Sequence, residues 1–137
     1  MTLHLIKLAV GCEVVDDIRR FQAERKKQFG RIFHWTTMYP KRTDEIVKGG
    51  SLFWVIKGIV LVRQRIVGIE RTKGEYKPVA IVLSPKLIRV EPRRCRPFQG
   101  WRYYAPNDAP ADLAKGSKAI AKMPPEMLRS LRDLGLI

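Results

Sequence analysis

The chemistry this chain could do rests on its arginines and the aromatic residues between them. Arg63-Gln64-Arg65 interrupts an otherwise apolar run from Ile59 to Ile69. Further along, Arg93, Arg94, Arg96 and Arg102 alternate with Phe98, Trp101, Tyr103 and Tyr104, with no acid among them. Guanidinium forks grip phosphate or carboxylate in two-point contacts. Aromatic faces stack on unpaired bases. Together they are what a single-stranded nucleic-acid site needs, with Gln64 a candidate for reading a base edge. The other reading of the second stretch is a loop packed over a barrel mouth, its arginines snorkelling outward.

Read as a regular strand, Ile59–Glu70 puts Arg63 and Arg65 on one face with Ile59, Leu61, Val67 and Ile69. Gln64 then shares the other face with Val60, Val62 and Ile66. Burying two unpaired guanidinium groups would cost on the order of several kcal/mol. Three arrangements avoid that cost: pairing with acids such as Asp44 or Glu45, a bulge that turns the arginines outward, or a solvated cleft.

Other chemistry has little support. His4 and His34 have no ligand-spaced partner, so no metal site is expected. Gly49-Gly50 lacks the rest of a phosphate loop and reads as a tight turn. Asp16-Asp17 and Asp44-Glu45 fit helix starts. Ser51 and Ser84 have no nucleophile elbow. No cofactor motif and no specific reaction emerge.

The charge agrees with the arginine reading. The net charge is +14 over 137 residues, and +10 of it lies between Lys41 and Arg102. Such an excess points to phosphate, in nucleic acid first and at a membrane surface last. The length predicts one domain, 1–137, able to bury a core without staples. Cys12 and Cys95 form no Cys-x-x-Cys pair, and free thiols are expected. Met1–Val10 lacks the marks of a leader, and no run reaches membrane-span length, so a cytoplasmic protein is expected.

The elements that position these residues follow from periodicity. Leu3–Val10 reads as a strand. Val14–Phe29 reads as a helix with Val14, Ile18, Phe21 and Phe29 on its core face and Gly30 beyond its end. Arg31–Tyr39 reads as a strand, Arg42–Lys48 as a helical turn capped by Thr43, and Ser51–Lys57 as a third strand. Ile59–Arg71, Pro78–Ser84 and Leu87–Glu91 complete the strands, the last closed by Pro92. Residues 93–113 read as irregular. A final helix follows Pro124-Pro125, with Met127, Leu128, Leu131 and Leu134 inward. Strands in the middle with helices near the ends predict α+β: a small curved sheet or β-barrel flanked by an N-terminal and a C-terminal helix.

The segments MTLHLIKLAVG, PKRTDEIVKGGSLFWVIKG, RQRIVGIE, PFQGWRYY and PNDAPADL closely resemble an alphaproteobacterial family, domain of unknown function 1489. The resemblance spans essentially the whole chain and implies no activity. Thr43–Glu70, a short helix, a glycine turn, an aromatic strand and a strand leading away with polar residues, also resembles the PUA-like group with its ASCH and EVE domains. That resemblance implies a PUA-like β-barrel that binds RNA or modified bases. Its groove would be bordered by Arg42, Lys48, Trp54, Lys57, Arg63, Gln64 and Arg65. With Arg93, Arg94, Arg96, Trp101, Arg102 and Tyr103, these form the candidate nucleic-acid site. Two rivals remain: an interaction module for an acidic protein, and an enzyme for a nucleotide-like anion. The enzyme reading expects a deep pocket near Trp54 and Arg63 holding a carboxylate or histidine of perturbed pKa.

Overall fold

The computed structural model describes residues 2–73 and 77–113, together with Arg129. The strands are β1 (His4–Leu8), β2 (Phe33–Thr36), β3 (Ser51–Ile56), β4 (Ile59–Arg71), β5 (Val79–Leu83), β6 (Ile88–Arg94) and β7 (Trp101–Tyr104). The helices are α1 (Val15–Phe29) and α2 (Thr43–Val47). They form an α+β fold around one strongly curled, half-barrel sheet of order β2-β5-β4-β3-β1-β7, with β6 also paired to β4. All pairings are antiparallel except β1 with β3. The expected C-terminal helix lies outside the described residues.

Helix α1 starts where Asp17 reaches back. Its carboxylate accepts the backbone N–H groups of Glu13 and Val14 at 2.8 and 3.2 Å, which holds its pKa below the usual carboxylate range. The helix ends at Gly30 in the left-handed conformation, whose N–H donates to the Lys26 carbonyl. Its buried residues are Val15 and Ile18. Phe21 and Phe29, expected in the core, are 56% and 47% exposed. Phe29 instead packs edge-on against Phe33 and Trp35, and Phe21 borders a cavity.

In α2, Thr43 is the first helical residue and not the cap; its hydroxyl donates to the Pro40 carbonyl. Gly50 follows at a point of close approach. A Cβ there would sit 2.2 Å from the Leu3 carbonyl oxygen and 2.3 Å from that of Ile46, so only glycine fits. Lys57-Gly58 joins β3 to β4 with both residues at positive φ, the geometry of a two-residue hairpin turn.

Strand β4 organises the fold. Its first half pairs with β3 on one edge and β6 on the other, and its second half pairs with β5. Two bulges break its alternation. Trp54 pairs with Val62 and Val55 with Val60, which leaves Leu61 as the extra residue. Ile66 opposes Leu83 and Gly68 opposes Val82, which leaves Val67. The bulge at Leu61 reverses the expected phase. Ile59 and Leu61 face the main core, and beyond the bulge so do Val62 and Ile66. Arg63 and Arg65 therefore leave that face.

Both faces of the sheet are covered. The main core lies on the α1 side and includes Leu5, Ile18, Ile46, Leu52, Trp54, Ile66 and Ile81. A smaller core on the opposite face joins Ile6, Phe53, Val55, Val60 and Val90 to Cys95, Phe98, Tyr104 and Ala109. The stretch expected to be irregular supplies this second cover. Strand β6 runs through Pro92 to Arg94, and the register slips between Val60 and Val62 where the proline falls. Strand β7 adds to β1 as an edge strand, Trp101 opposite Lys7 and Tyr104 opposite His4.

Candidate functional site

The thirteen residues expected to line one groove are distributed over both faces and both ends of the sheet. Arg63 is half-buried and committed within the chain. Its Nε and one terminal nitrogen donate to the two carboxylate oxygens of Asp112 at 2.7 and 2.8 Å, and the other terminal nitrogen donates to Ser51 Oγ at 2.9 Å. The hydrogen bonds to Asp112 raise the Arg63 pKa and lower that of Asp112. Two of the foreseen arrangements therefore hold together, a bulge and an acid, but the acid is Asp112 and neither Asp44 nor Glu45. Asp112 lies 49 residues away in a stretch without periodicity, so no sequence signal pairs it with Arg63.

Gln64 corrects the base-reading expectation. It is fully buried, its Oε1 accepts from Trp54 Nε1 and Gln22 Nε2, and its Nε2 donates to Gln22 Oε1 and the Ser84 carbonyl. Both ends of the amide are satisfied, so it has no edge left for a base. Trp54 is likewise buried, at 5% exposure, and sits edge-on to His34.

The other candidates fall into two groups. Arg42, Lys48 and Arg65 lie at the end of the sheet where β3 begins, since Arg65 is opposite Ser51 and the Lys48 carbonyl accepts the Thr2 hydroxyl. Lys57, Arg93, Arg94 and Arg96 lie at the opposite end: Arg94 faces Ile59, Arg93 faces Val60, and the Cys95 N–H donates to the Gly58 carbonyl. Arg93 donates to the Asp108 carbonyl, and Arg102 lies over the Phe98 ring at 5.0 Å. Those two thus help hold the cover of the smaller core.

One subset does converge. Trp101 and Tyr103 share a face of β7, rings edge-to-face at 5.0 Å. Trp101 Nε1 donates to the Met38 carbonyl at 2.9 Å, and the Tyr103 hydroxyl accepts the backbone N–H of Lys41 at 3.0 Å and of Arg42 at 3.4 Å. The Arg42 guanidinium lies 5.7 Å from the Tyr103 ring centre and makes a two-point ion pair with Glu45. Tyr103 is 38% exposed. The 38–42 turn and β7, far apart in sequence, thus present an exposed aromatic ring with Lys41 and Arg42 beside it.

A second feature was reached by no motif. A cavity of about 320 Å³ opens between α1 and the sheet. Its floor includes the buried Ala9, Ile18, Phe33 and Trp54, and exposed Val10 and Phe21 stand at its rim. Lys7 and Arg25 reach it half-buried, and burial lowers the pKa of both. His34 also lines it, and its Nε2 is buried with no hydrogen-bond partner among the described residues. Burial first, then the nearby charges of Lys7, Arg25 and Lys77, pushes the imidazole pKa down to about 3, so the ring is neutral at physiological pH. The cavity borders Trp54 as the enzyme reading expected, but Arg63 lies across the sheet. The weak sequence signal is His34 itself, a polar residue between Phe33 and Trp35. Among the described residues no cluster of metal-ligating side chains occurs, and no helix is long and apolar enough to cross a membrane.

Comparison with known families matches residues 5–137 to the model of the proteins of unknown function termed DUF1489, and the chain belongs to that family. No curated protein and no solved structure gives a significant match.

Proposed function

We propose that this DUF1489 member binds single-stranded nucleic acid, RNA above all, across the β7 edge of its sheet. The observation that carries the reading is the convergence of Trp101, Tyr103, Arg42 and Lys41 on one exposed surface. An exposed ring offers a stacking face to any base, and the neighbouring cations meet the phosphates. Lys48 and Arg65 extend the positive surface at the same end of the sheet. The curled sheet is compatible with the PUA-like architecture, and that resemblance also puts the ligand beside α2. Gln64 and Trp54 are removed from the contact set by burial, and Arg63 by Asp112.

Fluorescence anisotropy with a labelled single-stranded RNA, its duplex and a single-stranded DNA tests the proposal. Tyr103→Ala is expected to weaken single-strand binding by about 1–3 kcal/mol. Affinity should also fall steeply with salt. Binding that is indifferent to salt and to Tyr103→Ala would overturn it. Displacement of bound RNA by an acidic polypeptide at equal charge would favour the acidic-partner reading instead.

A further inference from the structure

We propose that the cavity between α1 and the sheet is a binding site for a small organic anion with a flat aromatic body. The class includes aromatic carboxylates and nucleoside monophosphates. Its volume of about 320 Å³ is in the range of small-molecule sites.

The cavity is built unlike a mere packing defect. Lys7 and Arg25 are both half-buried there, yet the ion pairs of the described residues lie elsewhere. Arg25 donates to the Phe33 carbonyl at 3.1 Å and lies over Trp35 at 4.8 Å, contacts that aim the guanidinium without neutralising it. Burying cations without a counter-charge opposes folding. A chain selected only for stability would carry an apolar residue at position 7, as it does at Leu5 and Ile6 alongside. Among the described residues, the only carboxylate on the lining is Glu24, which is exposed. The missing partner is therefore negative and comes from outside.

The remaining wall specifies the rest of the ligand. Trp54, Phe33 and Phe21 offer flat apolar surface. Buried His34 Nε2 has no partner among the described residues, so a ligand polar group placed there would complete its hydrogen bonding. Trp54 cannot swing to accommodate a different shape, because its Nε1 donates to Gln64 Oε1 at 2.9 Å and Gln64 is locked to Gln22. A preformed aromatic wall, two cations and one unmet polar atom thus describe an anion with a ring.

Isothermal titration of the full chain with naphthalene-2-carboxylate and with adenosine 5′-monophosphate tests this, with naphthalene-2-carboxamide and adenosine as uncharged counterparts. At least one anion is expected to bind about tenfold or more tightly than its counterpart and to move the Trp54 indole N–H resonance. Preference for the carboxylate or for the nucleotide then identifies the source of the anion. Lys7→Met, which keeps the stem and removes the charge, is expected to weaken that anion about tenfold while raising the melting temperature of the free protein. A purely structural lysine would not produce that opposition. Val10→Trp, at a rim residue 81% exposed, should block entry without touching the core. Anions that bind no better than their uncharged counterparts, or anion affinity unchanged in both Lys7→Met and Val10→Trp, would overturn the proposal.

Discussion

Arg63 and Arg25 are both half-buried guanidinium groups, yet the two faces of the sheet treat them oppositely. On the β6–β7 side, Arg63 meets Asp112 and Ser51, and its pKa is raised. On the α1 side, Arg25 meets a carbonyl and aromatic rings, and its pKa is lowered by burial. The chain has therefore solved the buried-cation problem within itself on one face and left it open on the other. A cation with its counter-ion in the chain serves folding; one without it is available to a ligand. Strand β4 divides the two regimes, with Arg63 turned to the first and its neighbour Gln64 to the second.

The strongest way to break this division is to remove Gln64. Gln64→Leu strips partners from the buried Trp54 Nε1, the Ser84 carbonyl and Gln22 at once. A loss of about 2–4 kcal/mol is expected in urea unfolding. A loss below about 1 kcal/mol would mean that water replaces the amide, and that the cavity reaches further under α1 than its lining residues indicate.

Acid titration sharpens the same contrast. His34 in the folded chain has a pKa of about 3, far below its ordinary value of 6.5. The unfolded chain therefore takes up a proton on this ring as the pH falls through about 6.5, while the folded chain does not until about 3. Stability contributed by neutral His34 is fully present above pH 6.5 and is lost progressively as the pH falls toward 3. Each pH unit below the ordinary value costs up to about 1.4 kcal/mol for one such group, so roughly 2 kcal/mol is expected at pH 5. His4, also lowered by burial, adds in the same direction. His34→Phe should flatten the unfolding free energy between pH 6.5 and 5, and an unchanged slope would show that the ring is solvated.

On the other face, Asp112→Asn leaves Arg63 with a neutral partner. Asp112 is 52% exposed, so solvent screens much of the loss, and about 1 kcal/mol is expected. Replacing both residues by apolar ones of similar size should recover most of it. Failure to recover would show that the pair also fixes the position of the 105–113 cover.

How much of this division could be read in advance depends on the range of the contacts. Helix α1, the β3–β4 hairpin and the turn at Gly49-Gly50 are set by local periodicity and glycine placement, and the α+β reading follows from them. The phase of β4 was not legible. The extra residue at Leu61 is decided by the partners β3 and β6, and a single strand carries no mark of it. Strand β7 was hidden for a similar reason: four residues rich in Trp, Arg and Tyr form a strand only because β1 offers a free edge. Composition groups the arginines of residues 93–102, but their contacts differ: Arg93 donates to the Asp108 carbonyl and Arg102 lies over the Phe98 ring. The cavity depends on Lys7, Arg25 and His34, from three elements with no common motif.

The smallest expected effect falls on the surface between the two faces, at Arg42. Its ion pair with Glu45 lies at the surface, the two side chains 51% and 37% exposed, and such pairs contribute little to folding. Arg42→Gln should therefore leave the urea midpoint unmoved within error. If β7 is a nucleic-acid edge, the same change removes one phosphate contact and lowers the slope of log affinity against log salt by about one. Stability and binding are then separable at a single residue, the reverse of Arg63, where the guanidinium is spent on the fold. A fall in stability without a change in salt slope would place Arg42 with Arg63, among the cations that the chain uses to hold itself together.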